Sequence, residues 1–302
     1  MKQLQMALLF FLAAVQLSSA EERIFKQEIP SRFLGSPRTI RIYLPASYHQ
    51  QPDRRYPVLY LHDGQNVFSS AGTNICFGWG GWELDKTVDE LCRAGKMQEI
   101  ILVGVDNSPA RYAEYCGQHH AGTNQPIPFE NYSSFLIKEL KPRIDSEHRT
   151  RPGPEHTGVM GSSLGGICSL ILAWDHPEVF GRAASLSGAF QVDQTNFLNQ
   201  LRAYAGKAKP PRLYLDSGVV DFMGGDDGQK LTAAVVQELH RIGWRAELMH
   251  HVDQKPMTLA ELEKSGLRQD KWAEAQTSQH NEFYWRFRAW RALVFLFPPV
   301  EH

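Results

Sequence analysis

The residues best suited to catalysis form a serine motif flanked by glycines. Residues 161–165 read Gly-Ser-Ser-Leu-Gly, which fits the pattern G-x-S-x-G with Ser163 at its centre. A predicted strand precedes the motif and a predicted helix follows it, and in that context a sharp turn exposes the serine hydroxyl above a sheet. The amide of Leu164 would then begin the helix and point at a developing oxyanion. The motif predicts a nucleophilic serine, and the alternative interpretation is a serine-rich turn before a helix.

A nucleophilic serine needs a histidine as its base, and an acid that orients the histidine. When the serine lies in this kind of turn, the acid and then the histidine follow it along the chain. His280 comes after a long loop and opens the last predicted helix, so it can reach the carboxyl edge of a sheet. We therefore expect His280 to be the base. The other histidines after Ser163 are less well placed: His176, His240, His250, His251 and His302.

The acid has several candidates after the strand predicted at 212–215. Asp221 lies just past the turn at Gly218, where a carboxylate can approach the histidine from a neighbouring strand end, so it is the first choice. Asp216 lies closer to the body of the strand, where it would brace the loop. Two further alternatives lie in a glycine-rich loop, Asp226 and Asp227.

A second oxyanion donor is expected from the loop after an earlier strand. The apolar run at 57–61 is followed by His62-Asp63-Gly64-Gln65-Asn66, where glycine lets the backbone approach a substrate. We assign the backbone amide of Gln65, with that of Gly64 as the alternative. The neighbouring His62 and Asp63 could instead form a metal pair, but two adjacent residues without further ligands are weak evidence for a metal. The expected site therefore has no metal and no organic cofactor.

The elements that must position these residues alternate between strands and helices. Apolar or alternating runs predict strands at 39–44, 57–61, 100–105, 156–160, 212–215 and 246–252. Helical periodicity predicts helices at 82–95, 132–144, 164–174, 229–242 and 280–297. This order predicts an α/β fold with a mostly parallel central sheet flanked by helices, in one domain over 21–302. Residues 253–279 are longer than an ordinary connection and are expected to form a lid insertion.

The composition excludes several classes of protein. The chain has 302 residues, of which 42% are hydrophobic, so it can form a core and is not disordered as a whole. Lys and Arg number 32 against 33 Asp and Glu, which argues against a nucleic-acid binder. The near-zero net charge gives no strong electrostatic preference for a substrate.

Residues 1–20 are predicted to be a signal peptide. Lys2 provides a basic start, residues 6–17 are almost entirely apolar, and Ser18-Ser19-Ala20 forms a cleavage site of small residues. An uncleaved membrane anchor is the alternative, but twelve residues rise only about 18 Å as a helix, too short for a hydrocarbon core of ~30 Å. We expect an exported protein, secreted or periplasmic, without stable membrane insertion. An even set of four cysteines suits that compartment, and we expect a Cys76–Cys116 disulfide.

Beyond the serine motif, the chain resembles the Putative esterase family of α/β-hydrolases over residues 35–297. The family includes enterochelin-type, feruloyl and acetyl-xylan esterases and S-formylglutathione hydrolase. The resemblance rests on 56–68 (YPVLYLHDGQNVF), 82–85 (WELD), 103–107 (VGVDN), 111–115 (RYAEY), 139–145 (ELKPRID), the Ser163 turn, and His280-Asn281-Glu282 with Trp285. It implies an α/β-hydrolase fold, Ser163 as the nucleophile and His280 as the base. The insertion at 253–279 departs from the family pattern. The substrate of a relative is therefore weak evidence for the substrate of this chain.

The resulting hypothesis is an exported serine carboxylesterase that works through an acyl-enzyme. Its substrate would be a small-molecule or carbohydrate-linked ester: a siderophore lactone, a feruloylated or acetylated sugar, or a short-chain ester. Acyl transfer by the same triad and a non-catalytic ligand-binding protein are the alternatives. Loop residues after the strands are expected to bind substrate or, alternatively, to pack the loops: Trp82, Asn107, Arg111 and Tyr115.

Overall fold

A mixed β-sheet forms the centre of the computed structural model, which describes residues 23–116, 128–192, 196–205 and 211–300. Within these residues the sheet has eight strands in the order β1-β2-β4-β3-β5-β6-β7-β8. The first two strands and β4 pair antiparallel, and every pairing from β4 to β8 is parallel. The strands are β1 (Ile24–Ile29), β2 (Arg38–Tyr43), β3 (Val58–His62), β4 (Ile101–Val105), β5 (Thr157–Ser162), β6 (Arg182–Leu186), β7 (Arg212–Ser217) and β8 (Leu248–Val252).

Helices cover both faces of this sheet. The helices α1 and α10 pack on one face, and α3 to α7 contribute to the core on the other. A π-helical turn at Leu136–Leu140 joins α3 to α4. The α-helices are α1 (Leu84–Arg93), α2 (Arg111–Tyr115), α3 (Pro128–Phe135), α4 (Lys141–Glu147), α5 (Leu164–Asp175), α6 (Asn196–Ala203), α7 (Gln229–Arg241), α8 (Leu259–Lys264), α9 (Trp272–Ala275) and α10 (Glu282–Leu296).

The central strands are apolar because both of their faces are covered. Every residue of β3 is buried, and its side chains alternate between the two cores: Val58 and Tyr60 on one face, Leu59 and Leu61 on the other. A strand in this position reads as a continuous apolar run, not as an alternating one. The mostly parallel sheet between helices is therefore as predicted.

Two strands were not predicted. The edge strand β1 has a mixed sequence, IFKQEI, and the buried strand β6 reads RAASL, whose small residues give no apolar run. Each of the six predicted strands coincides with an observed one within a few residues. None of the helices in the described residues is both long and apolar enough to cross a bilayer. The predicted signal peptide lies outside the described residues.

The expected Cys76–Cys116 disulfide is wrong, because the described chain contains no disulfide. The two cysteines lie in different places. Cys76 is beside Glu282 in the wall of a surface cavity, whereas Cys116 is buried close to Cys168 of α5. Burial of the Cys168 thiol raises its pKa.

The segment 253–279 folds over residues near the end of the sheet. It contains α8, a 3-10 turn at Gln269–Lys271 and α9, and Leu262 and Ala275 pack with Trp79, Phe283 and Tyr284 in a third apolar cluster. The Tyr284 hydroxyl ties both ends of the segment, since it accepts from the Met257 amide at 2.7 Å and donates to the Ala275 carbonyl at 2.6 Å. Whether the segment acts as a lid stays a prediction.

Candidate active site

Ser163 occupies a strained turn between β5 and α5. Its backbone has φ 53° and ψ −121°, a conformation that non-glycine residues rarely adopt. The turn is tight because a β-carbon added to Gly161 would lie 2.7 Å from the Gly165 backbone. The Ser163 amide donates to the Leu186 carbonyl at 2.9 Å, which fixes the turn to β6. Strain held by the surrounding backbone is typical of a nucleophile turn.

Three side chains from three separate connections form a continuous hydrogen-bonded chain. His280 Nε2 lies 3.0 Å from Ser163 Oγ, and His280 Nδ1 lies 2.5 Å from Asp227 Oδ1. His280 is positioned just before α10, whose N-cap Asn281 accepts from the Tyr284 amide. The Trp285 ring and the imidazole pack nearly perpendicular to each other, with centroids 5.0 Å apart. The predicted serine and histidine therefore meet, with an aspartate behind them.

That aspartate is Asp227, so the first choice of Asp221 is wrong. Asp221 accepts from the Met223 and Gly225 amides, each at 2.8 Å, and thereby closes its own loop. This turn reverses the chain and brings Asp227 back to the end of β7, where Asp227 Oδ2 accepts from the Gly218 amide at 2.5 Å.

The other two acid candidates also do not contact the histidine. Asp226 begins α7 by accepting from the Gln229 and Lys230 amides. Asp216 points into the core, where the Tyr214 hydroxyl donates to it at 3.1 Å. Its side chain contacts β7 and α10, so Asp216 is not the triad acid, and its expected bracing of the loop stays a prediction.

A fully buried arginine lies behind Asp227. Arg288 of α10 donates to Ser187 Oγ at 2.6 Å, and Ser187 Oγ donates in turn to Asp227 Oδ2 at 2.6 Å. The Arg288 guanidinium is also 3.7 Å from Asp227 and 3.6 Å from Asp216. Trp285 Nε1 donates to the same serine oxygen at 3.2 Å. Sequence reasoning missed Arg288 because an arginine within an amphipathic helix is normally a surface residue.

The two buried carboxylates differ in their pKa shifts. Burial would raise the pKa of Asp227, but the His280 hydrogen bond and the charges of His280 and Arg288 outweigh it and lower that pKa below its usual value. Burial raises the pKa of Asp216 to about 6, although Arg288 and the Tyr214 hydroxyl oppose that rise. Asp227 is therefore held in the ionised form, which accepts the hydrogen bond from His280 Nδ1–H.

Two backbone turns next to Ser163 leave amides free to bind an oxyanion. Leu164 is the first residue of α5, and its amide donates to no acceptor in the described part of the chain. After β3, the turn that begins at Asp63 closes through the Asn66 and Val67 amides, so the amide of Gln65 remains unused within the described ranges. The Gln65 side chain accepts from the Asn107 amide at 3.0 Å, which links this turn to the loop after β4.

The serine and histidine open into a cavity of about 690 Å³. Three of the predicted substrate-binding residues line it: Trp82, Asn107 and Arg111. Tyr115, the fourth, does not. It is fully buried behind the cavity, where its hydroxyl accepts from the Asp63 amide at 3.2 Å and its ring packs against His62. For Tyr115 the packing alternative is correct.

The polar wall of the cavity is built around Asp63. The Arg111 guanidinium donates to both oxygens of Asp63, at 2.6 and 2.8 Å, and Asn107 Nδ2 donates to Oδ1 at 2.5 Å. His62 is fully buried, which lowers its pKa to about 4, and its Nδ1 is 2.9 Å from the Tyr132 hydroxyl. Asp63 thus organises this wall of the cavity through Arg111 and Asn107. Within the described ranges no group of three or more metal-ligating side chains occurs.

Further cavity residues were not singled out from the sequence. Glu282, the first residue of α10, contributes a carboxyl group whose pKa is raised by burial. Phe77 and Phe222 are exposed and border the cavity, and the Phe222 ring lies 5.8 Å from His280. The motif His280-Asn281-Glu282 could have drawn attention to Glu282, whereas an exposed loop phenylalanine has no recognisable sequence signal.

Comparisons with known proteins identify the family of this chain. The family model described as "Putative esterase" matches residues 31–295. A 161-residue stretch is 27% identical to the uncharacterized protein YjcH of Bacillus subtilis and covers 53% of this chain and 58% of YjcH. A 172-residue stretch is 28% identical to an endo-1,4-beta-xylanase/feruloyl esterase of Xylanibacter ruminicola, covering 52% of this chain and 20% of that protein. The chain thus spans less than two thirds of the length of these relatives.

Solved structures show the same fold at low sequence identity. The enterobactin esterase FES from Shigella flexneri, solved in the presence of enterobactin, superposes with a TM-score of 0.66 at 18% identity, covering 91% of this chain and 59% of that one. A ferulic acid esterase superposes with a TM-score of 0.63 at 17% identity, covering 91% and 97%. The expected α/β-hydrolase fold is thereby confirmed. Since the family model spans most of the sequence, the chain belongs to the Putative esterase family.

Proposed function

We propose that this protein hydrolyses carboxylic esters through a Ser163–His280–Asp227 triad. The observation that carries the proposal is the hydrogen-bonded chain from Ser163 Oγ through the His280 imidazole to Asp227, at 3.0 and 2.5 Å. Nucleophile, base and orienting acid are within hydrogen-bond reach of one another, and the serine borders a cavity that can admit a substrate. Membership of an esterase family supports the same reaction.

In the proposed mechanism, Ser163 Oγ attacks the ester carbonyl while His280 Nε2 takes the hydroxyl proton. The tetrahedral intermediate collapses when the bond to the alkoxy oxygen breaks, and His280 returns the proton to the departing alcohol. Water then attacks the acyl-enzyme with His280 again as the base, which releases the acid and regenerates Ser163. Asp227 stabilises the imidazolium in both half-reactions and holds the tautomer in which Nε2 can accept the proton.

The negative charge that develops on the carbonyl oxygen also needs donors. We assign this role to the backbone amides of Leu164 and Gln65, because neither amide is used within the described part of the chain. Leu164 is also the first residue of α5, so the helix dipole favours an anion at the same point.

Hydrolysis of p-nitrophenyl esters of increasing acyl length tests the proposal. The wild type is expected to release p-nitrophenol with Michaelis kinetics, and Ser163→Ala is expected to lose at least about a thousandfold in kcat because it retains only the oxyanion donors. The neighbouring Ser162→Ala is the matched control, since His280 Nε2 bonds to Ser163 and makes no hydrogen bond to Ser162 within the described residues. Equal rates for wild type and Ser163→Ala would contradict the proposal.

Acyl transfer to an alcohol is a second candidate for the same triad. A 192-residue stretch is 27% identical to a diacylglycerol acyltransferase/mycolyltransferase Ag85A of Mycobacterium leprae, covering 60% of this chain and 51% of that protein. Both reactions share the acyl-enzyme, which water or an alcohol can resolve. Product analysis with a sugar acceptor present separates them: a new sugar ester indicates transfer, and free acid alone indicates hydrolysis.

We also propose that the substrate is a small-molecule or carbohydrate-linked ester and that the protein is secreted or periplasmic. The cavity volume of about 690 Å³ supports the first point. The second point is supported by the basic start, apolar run and small-residue site in residues 1–20. Expression of the full chain followed by N-terminal sequencing tests export, with Glu21 as the expected new N-terminus. An uncleaved protein retained in the cytoplasm would contradict it.

A further inference from the structure

The charged groups that line the cavity do not balance. Asp63 is paired with Arg111, and Glu274 is paired with Lys271 at 2.9 Å. Glu282 has no ion-pair partner among the described residues. Both hydrogen bonds of the Arg111 guanidinium go to Asp63, so its charge acts on Glu282 only from a longer distance.

The surroundings of Glu282 disfavour the ionised form of its carboxyl group when no cation is near. Burial raises the pKa of its carboxyl group, and the nearby charge of Asp63 adds to this rise, while the helix-terminal amide and the Cys76 thiol oppose it. A carboxylate in such a place gains more from an added cation than from an added neutral group, because water screens the pair poorly.

Aromatic side chains surround the same cavity. Trp82 and Trp285 have ring centroids 6.1 Å apart, and Trp285 and Phe222 flank His280 on two sides. The ring faces of tryptophan attract ammonium groups, most strongly where water is excluded. A cavity with an aromatic wall and a carboxylate that has no ion pair among the described residues is thus suited to a cationic group.

The chain already makes this interaction once at the edge of the cavity. The Lys271 ammonium lies 4.7 Å from the centroid of the Trp79 ring and is bonded to the Glu274 carboxylate. Trp79 and Glu274 both line the cavity. Ammonium, tryptophan and carboxylate therefore form one set there. Trp82, Trp285 and Glu282 line the same cavity, and no ammonium is paired with Glu282 among the described residues.

We propose that the cavity contains a cation subsite, formed by Glu282 and the rings of Trp82 and Trp285, which selects esters that carry an ammonium group. The inference rests on the proposed esterase function and adds a substrate class to it. Ester and ammonium must lie in one small molecule, because Glu282 and the base His280 line the same cavity of about 690 Å³. A neutral isostere of the same shape would fill the aromatic space but leave the Glu282 carboxylate without a counter-ion.

Two pairs of isosteric esters test the proposal. The first pair places the charge on the alcohol: a choline ester and the 3,3-dimethylbutyl ester of the same acid. The second places it on the acyl group: the p-nitrophenyl esters of 4-(trimethylammonio)butyrate and of 5,5-dimethylhexanoate. In each pair a quaternary carbon replaces the quaternary nitrogen. The measured quantity is the ratio of kcat/KM, cation over isostere, which does not depend on the fraction of folded enzyme.

We expect a ratio of at least about tenfold in the wild type for one of the two pairs, as a desolvated cation over tryptophan beside a carboxylate should give. Glu282→Gln, which keeps the shape and removes the charge, should bring that ratio close to one. Glu263→Gln is the control, because Glu263 is an exposed residue of α8, and it should keep the ratio of the wild type.

Several outcomes would overturn the subsite. They are ratios of one or less for both pairs, a preference that persists in Glu282→Gln, or turnover of p-nitrophenyl acetate without turnover of either pair. In each of these the esterase proposal still stands. Failure to hydrolyse any ester, p-nitrophenyl acetate included, would instead refute the esterase proposal and the subsite with it.

Discussion

Replacement of Arg288 by methionine is expected to destabilise the protein strongly. The guanidinium is completely buried and lies within 3.6 to 3.9 Å of three carboxylates, those of Asp216, Asp227 and Asp253. Methionine fills a similar volume without the charge. Arg288→Met would therefore leave buried carboxylates without their counter-ion, and Ser187 would lose its strongest donor.

The magnitude follows from the distances. At an effective dielectric constant of ~20, a unit charge pair at 3.6 Å interacts by about 4–5 kcal/mol. Breaking one partner of a buried ion pair lowers the free energy of unfolding by about 3–5 kcal/mol in measured cases. We expect Arg288→Met to lose about 3–5 kcal/mol at pH 8.

The loss should depend on pH because Asp216 titrates in the accessible range. Its pKa is raised to about 6 in the folded protein from an ordinary value of 3.8, so its protonated form stabilises the fold. That stabilisation is complete below about pH 4 and disappears as the pH rises through 6. At pH 5 Asp216 is mostly neutral and Arg288 has one carboxylate fewer to compensate. The deficit of Arg288→Met should therefore be smaller at pH 5 than at pH 8.

Urea denaturation at pH 5 and pH 8 measures this difference directly. Arg286→Met on the same helix is the matched control. Arg286 contacts Glu83 at 3.8 Å and otherwise lies over the Phe283 and Phe287 rings. Its replacement should cost no more than about 1 kcal/mol, because it leaves no fully buried carboxylate without a counter-ion. The reasoning would be refuted if Arg288→Met lost less than about 1 kcal/mol at pH 8, or if its deficit were larger at pH 5.

Two further predictions concern the triad and its turn. Asp227→Asn should lower kcat for ester hydrolysis by about 10⁴-fold, the effect known for a triad whose histidine is held in the wrong tautomer, whereas Asp221→Asn should stay within a few fold of the wild type. A larger defect in Asp221→Asn would restore Asp221 as the acid. Gly161→Ala should lower the free energy of unfolding by about 1–3 kcal/mol, because its new methyl group would meet the Gly165 backbone at 2.7 Å. A melting temperature equal to that of the wild type would contradict this.

Much of the fold follows from local sequence patterns. Strands that are buried on both faces, such as β3 and β4, carry continuous apolar runs and are predictable without knowledge of their neighbours. The strand β6 is buried just as deeply but consists largely of small residues. Its position depends on pairing with β5 and β7 on either side, which no local pattern records.

The site, like the fold, is predictable from local sequence only in part. The Ser163 turn is predictable because its geometry demands glycine at nearby positions, and His280 because it opens a helix after the last strand. The acid is not predictable by distance along the chain. The Asp221 side chain closes a turn that reverses the loop, and it is this reversal that brings Asp227 to the imidazole. The glycines at 224, 225 and 228 indicate a folded-back loop, but not which aspartate it presents.

Arg288 and Glu282 have no such signals because their roles depend on contacts across the fold. Arg288 meets its carboxylates from β7, from the loop before α7 and from the end of β8. Glu282 becomes a cavity residue because α10 begins beside the loop that carries Cys76.

Covalent labelling with a fluorophosphonate tests the central claim most directly, because the reagent reacts with an activated serine regardless of the natural substrate. Mass spectrometry of the labelled protein should show a single adduct, on the peptide that contains Ser163. Ser162→Ala should label like the wild type and Ser163→Ala should not label. No adduct on the wild type, or an adduct that persists in Ser163→Ala, would contradict the account.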